Sequence, residues 1–171
     1  MVLVCNDYTT AVASVGAAGA RGDKMKQLTI LVLISMLLFS ASASHARNTI
    51  HHLSIEQALA RGEAEGKIKD SVQLFFGNQA GPEAAKKLGT VTANRKTNAF
   101  GKSDASACQW AFLSAMITLQ DQAIALGGDA VINIRSYYYK NKFSSATEFE
   151  CGAGAVIAGV TMVGEIVKLA D

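Results

Sequence analysis

SDASACQWAFLSAMITLQDQAIALGG, residues 103–128, is the stretch on which the fold turns. Ser103 suits a helix N-cap, and Asp104 suits the positive end of the helix dipole. Cys108, Phe112, Ala115, Leu119, Ala123 and Leu126 then recur at a spacing of three to four, and Gly127-Gly128 closes the run. Trp110, Leu113 and Ile117 widen the apolar stripe, so the spacing predicts one long helix over 104–126, covered on both flanks.

Three strand patterns come after it. Ala130–Tyr139 alternates, with Ile132, Ile134 and Tyr138 on one face and Asn133, Arg135, Tyr137 and Tyr139 on the other. A polar turn, residues 140–145, leads to 146–151, where Thr147, Phe149 and Cys151 alternate against Glu148 and Glu150. The last run, 154–169, is β-branched and punctuated by glycines, which mark bends or close backbone approach in a strand. Upstream, RNTIHHL (47–53) reads as a loose start and Ser54 as the cap of a short helix over 54–66. Residues 71–76 read as a strand. Pro82 opens a second short helix ending at Gly89, and 90–100 reads as a strand running into a loop. The sum is an α+β domain: one long core helix on a mainly antiparallel sheet, with a C-terminal three-strand meander.

The N-terminal third has a different character. Residues 28–39 (LTILVLISMLLF) are apolar and uncharged, Lys26 precedes them, and SASASHA (40–46) comes next. A basic start, a short apolar core and a small-residue exit describe a secretory signal peptide over 25–46. Twelve uncharged residues are too few to cross a bilayer core of about 30 Å. Cleavage after Ala46 is the first choice and after Ala43 the second. Met25 is the expected start, with residues 1–24 an over-extended reading frame; an extended n-region is the alternative. No cysteine lies just after the apolar core, which argues against a lipid anchor. The mature domain, 47–171, is then periplasmic or secreted.

That domain carries 13 Lys+Arg and 12 Asp+Glu, a balance that argues against nucleic acid or an anionic membrane as partner. Cys5 falls in the leader, leaving Cys108 and Cys151, an even pair where oxidation is the default. A Cys108–Cys151 disulfide closes a loop of about 40 residues, worth roughly 3–4 kcal/mol by loop-closure entropy. Two buried thiols are the alternative.

Motifs for chemistry are sparse. Gly154–Thr161 outlines a phosphate loop, but Val160 stands where its lysine belongs and no helix pattern comes after it. Gly152 and Gly154 lack the third glycine of a dinucleotide fingerprint. His45, His51 and His52 are the only imidazoles; His51 and His52 are the candidate metal contacts, and adjacent strand residues point to opposite faces. Lacking a histidine beyond residue 52, the domain offers no Ser-His or Cys-His nucleophile pair of its own. Glu148 and Glu150 share one strand face as a solvated face or a carboxylate pair. Arg135, Tyr137 and Tyr139, with Lys140 and Lys142 nearby, are the candidate ligand-stacking residues, against the plain reading of aromatics as strand formers. No cofactor is called for.

Three stretches carry a resemblance: residues 97–116, residues 126–160, and FFGNQ at 75–79. Together they are similar to a family of small exported proteobacterial proteins often labelled "excinuclease ATPase subunit". The label implies a DNA-repair ATPase, whereas this chain has no Walker lysine and no zinc-ribbon CxxC, and carries a signal peptide. Ala123–Ile134, a helix ending in LGGDAVINI, with Gly164–Val167 in the last strand, also resembles YbjQ-type and RcsF-type domains. That resemblance implies the fold and a disulfide. It does not transfer metal binding or stress sensing, whose cysteine arrangement and lipid anchor are missing. The expectation is an envelope module that binds another protein or self-associates through its sheet edge. A small-ligand or metal-binding protein is the rival, and an enzyme comes third.

Overall fold

The structure, a computed structural model, describes residues 47–170. The expected leader, with the expected start at Met25 and cleavage after Ala46 or Ala43, lies outside the described residues, as do His45 and Cys5.

Eight elements occur in order: β1 (Thr49–Ser54), α1 (Ile55–Ala64), β2 (Gln73–Phe76), β3 (Ala84–Asn98), α2 (Asp104–Ala125), β4 (Ala130–Ser136), β5 (Glu148–Ala153) and β6 (Ile157–Leu169), with a 3₁₀ turn at Tyr138–Lys140 after β4. This is the expected α+β class. The long helix forms as its sequence dictates: Ser103 Oγ accepts from the Ser106 N–H at 3.2 Å, and Gly127 takes the left-handed φ of +72° that ends it. Its inner side alternates alanines with large groups. Ala107, Ala111 and Ala115 bring the backbone close to the sheet, while Phe112 stacks on Phe149 of β5 with ring centroids 4.2 Å apart.

β6 is the spine of the sheet. β3 pairs along its whole length, from Ala84 opposite Leu169 to Asn98 opposite Ile157. Along its other edge β6 pairs first with β5, Gly152 opposite Gly159, and then with β4, from Ser136 opposite Met162 to Ala130 opposite Val167. β1 lies outside β5, and β2 lies outside β4 as the one parallel pair. The three C-terminal strands are thus antiparallel about β6 but do not form a simple meander. β4 and β5 share one edge of β6, end to end, joined by the crossing segment 137–147.

Two stretches differ from the sequence reading. RNTIHHL is not loose: Thr49–Ser54 pairs residue for residue with Glu148–Ala153. Residues 84–89 are strand, not helix. A short helix is marginal in water, and the end of β6 offers Lys86, Lys87 and Gly89 the partners Lys168, Val167 and Ile166 instead. Ion pairing between Lys87 and Glu165, 2.6 Å apart, adds to that pairing.

Side chains on the helix face of the sheet form the core: Val131 and Ile134, Phe149 and Cys151, and Val160, Met162 and Ile166 are all essentially inaccessible. Gly164 is needed there, since a Cβ on it would stand 2.5 Å from Val131 Cγ1. Cys108 and Cys151 form a disulfide with a Cα–Cα distance of 5.9 Å, joining α2 to β5 inside this core. Gln120, also inaccessible, accepts from the Lys69 N–H at 3.1 Å and donates to the Lys69 and Val72 carbonyls at 2.7 and 2.9 Å. One side chain of α2 thereby holds the connection entering β2.

Candidate functional site

Among the described residues, no helix covers the outer face of the sheet. Part of it is crossed by residues 137–147, where most of the chemistry-bearing side chains gather. β4 ends at Ser136, so strand alternation does not carry through the tyrosines. Tyr139 and Lys140 both adopt positive φ, 47° and 65°, which reverses the chain within one turn. Tyr138 therefore lies on the outer face over Gly152, where any Cβ would collide with its ring. Its ring meets that of Tyr139 edge-on, centroids 4.6 Å apart. Asn48 Nδ2 donates to the Tyr139 hydroxyl at 3.3 Å, while the Tyr138 hydroxyl donates to Asn48 Oδ1 at 3.4 Å. Burial, with Tyr139 and Glu150 adding to it, holds the Tyr138 phenol above its ordinary pKa.

The three expected stacking residues are not brought together. Arg135 folds back to the Asn133 carbonyl at 3.1 Å; Tyr137 is held through its N–H to the Thr161 carbonyl at 2.7 Å; Tyr139 sits against Asn48. Asn48 and Phe143, which do contribute, lie in the segments read as a loose start and a polar turn. Phe143 is placed by reciprocal backbone bonds with Ser136 and stacks on His52 at 4.5 Å.

β1 sends the two histidines to opposite faces, as strand geometry requires. His52 Nε2 lies 3.8 Å from Glu150 Oε1, and Glu150 Oε2 is buried with no hydrogen-bond partner among the described residues. On the helix face, His51 Nε2 approaches Asp104 Oδ2 at 3.0 Å. Arg47 grips that same carboxylate with two bonds of 2.8 and 2.9 Å. The Arg47 bonds, helped by His51, hold Asp104 below the usual carboxylate range. Each histidine has one carboxylate, drawn from a distant element that sequence spacing does not reveal. Among the described residues no three His, Cys, Asp or Glu side chains cluster as a metal site. Glu148 is exposed while Glu150 is largely buried, so the two carboxylates of one strand face stand in different surroundings. Gly154–Val156 is the β5–β6 turn, closed by Gly154 N–H to the Ile157 carbonyl at 2.8 Å, and the chain leaves it as strand rather than helix.

Two further features have the form of binding surfaces. At the end of the domain carrying the β5–β6 turn, large apolar side chains stand in water: Phe100 (74% exposed), Tyr139 (70%), Val156 (58%), Ile157 (54%) and Ile50 (43%). Backbone pairing sets Phe100 near Val156 and Ile157, and Ile50 near the turn that holds Tyr139. Ala99 N–H donates to the Val156 carbonyl, Asn98 lies opposite Ile157, and Ile50 lies opposite Gly152 under Tyr138. At the other end of β1, a cleft of about 590 Å³ opens between α1 and β2, lined by Leu59, Leu74 and Phe76 and edged by Glu56, Glu63 and Gln79.

Comparison with protein-family models, curated proteins and solved structures finds no match to the chain.

Proposed function

We propose that the domain is an exported interaction module of the bacterial envelope, binding another protein through the apolar end of its sheet. The observation that carries this reading is the group Ile50, Phe100, Tyr139, Val156 and Ile157, all exposed at the end of the sheet that carries the β5–β6 turn. Burying exposed apolar area is the main drive for association, and aromatic anchors dominate interfaces. Scattered single hydrophobics need no explanation, whereas five gathered at one end of the sheet do. Strain points the same way. Tyr139, a bulky residue, is kept at positive φ with its ring 70% exposed, an arrangement that costs about 1–3 kcal/mol and presents rather than buries the ring.

The test is Val156→Asp with Ile157→Thr, two exposed positions whose replacement leaves folding stability within about 0.5 kcal/mol. Photo-crosslinking from position 100 in cells that export the protein is expected to give one dominant protein adduct, lost in the double variant. Light scattering of the purified protein tells whether that partner is a second copy. A monomer giving no adduct in the envelope sinks the proposal.

A further inference from the structure

The cleft between α1 and β2 belongs to neither the apolar end nor the tyrosine turn. Its floor is apolar, Leu74 and Phe76 from β2 and Leu59 from α1, and its rim is acidic. Glu56 and Glu63 both line it, and among the described residues no Lys, Arg or His does. Arg61, the cation of α1, is turned away: its guanidinium lies 4.4 Å above the Trp110 ring and bonds Ser106 and Gln109 of α2 at 3.2 Å. In a domain of nearly balanced charge, this concentrates negative potential on one groove.

β2 supplies the second observation. It is the terminal strand on its side of the sheet, with β4 on one side only. Gln73 and Gly77 donate their N–H groups to the carbonyls of Asp129 and Ile134, toward β4. Phe76, between them in alternation, donates instead to the side chain of Gln79 at 2.7 Å, and Gln79 Nε2 donates to the Ala146 carbonyl at 3.3 Å. The Gln79 amide thus stands where the peptide group of a neighbouring strand would stand.

We infer that this cleft takes an extended segment of a partner protein, laid beside β2, with an apolar side chain in the floor and basic side chains on Glu56 and Glu63. Strand addition at this outer edge, in place of the Gln79 amide, supplies the main-chain bonds, and the floor supplies the side-chain pocket. Spacing is compatible as well: seven residues of helix set Glu56 and Glu63 about 10 Å apart along the axis. Two lysines four residues apart on one face of an extended chain, about 13 Å, reach both with their flexible side chains. Side chains of an extended segment alternate between faces, so the occupant is of the form basic-x-x-x-basic with an apolar residue midway on the same face.

The probe is acetyl-Lys-Thr-Leu-Thr-Lys-Val-amide, titrated into the ¹⁵N-labelled protein recovered after export. Saturable amide shifts are expected at Leu59, Leu74, Phe76 and Gln79. Affinity is expected to fall at least tenfold in Glu56→Gln/Glu63→Gln, and likewise for the peptide with glutamates in place of lysines. Gln79→Ala, which vacates the strand position, is expected to bind as well as the parent or better. Absence of saturable shifts at millimolar peptide overturns the inference, as do shifts located elsewhere or binding indifferent to the two glutamates. Val156→Asp/Ile157→Thr leaves this titration unchanged, so the result is separate from that for the apolar end.

Discussion

Single side chains explain much of how this domain holds its ends. Asp104 is the clearest case, because Arg47 and His51 reach it from the first strand and the segment before it. Its folded-state pKa is depressed, so the stability it supplies is present above the unfolded carboxylate pKa and is lost as pH falls through the folded value. Asp104→Ala is expected to be less stable than the parent at neutral pH, with the difference shrinking below about pH 4; urea midpoints at pH 7 and pH 3 check it. Gln120 is a buried counterpart. Alanine there leaves an N–H and two carbonyls unpaired and opens a cavity, at a cost of about 2–4 kcal/mol in chemical denaturation. An unchanged midpoint would mean that water satisfies those groups.

At the scale of elements, the disulfide between α2 and β5 is the test of what cross-links this fold. Its cysteines are 43 residues apart, and closing such a loop is worth about 4 kcal/mol against the unfolded chain. Cys108→Ala/Cys151→Ala is expected to lower unfolding free energy by about that amount, with a native-like circular dichroism spectrum below the transition. Both sulfurs are inaccessible, so reductant is expected to act at the rate of unfolding. The elements also show how much was legible in the chain. α2 reads directly, because cap, periodicity and terminal glycines all agree. Ser54 as a cap was legible too, its Oγ accepting from the Gln57 N–H at 3.2 Å. Residues 84–89 were not, since alanines and lysines favour helix locally and only the distant end of β6 makes them strand. β1 was missed for a similar reason: six residues with two histidines show no strand pattern until β5 lies beside them. Of the site, the split of the two histidines comes from strand geometry, and the tyrosine cluster is visible as a run. Its arrangement was hidden by the positive φ of Tyr139 and Lys140, which no residue type at those positions announces.

For the whole molecule the open matter is processing, and the fold gives it a physical side. Arg47 is the first described residue, and it carries the bidentate grip on Asp104 together with a bond to the Gly154 carbonyl at 3.3 Å. A cut after Ala46 keeps that grip and adds a new α-ammonium beside a guanidinium already neutralised by carboxylate. A cut one or two residues later would remove the Arg47 bonds and leave His51 as the one side chain of β1 on Asp104. Export as proposed therefore predicts a mature chain that begins at Arg47, or at Ser44 if cleavage occurs after Ala43. Intact mass of protein recovered from the periplasm is expected to match one of these, less about 2 Da for the two hydrogens lost in the Cys108–Cys151 bond. A mass beginning beyond Arg47 would remove the larger part of the latch and leave His51 alone to lower the Asp104 pKa. An unprocessed mass with two free thiols would place the protein in a reducing compartment, where the disulfide and the envelope role both fail together.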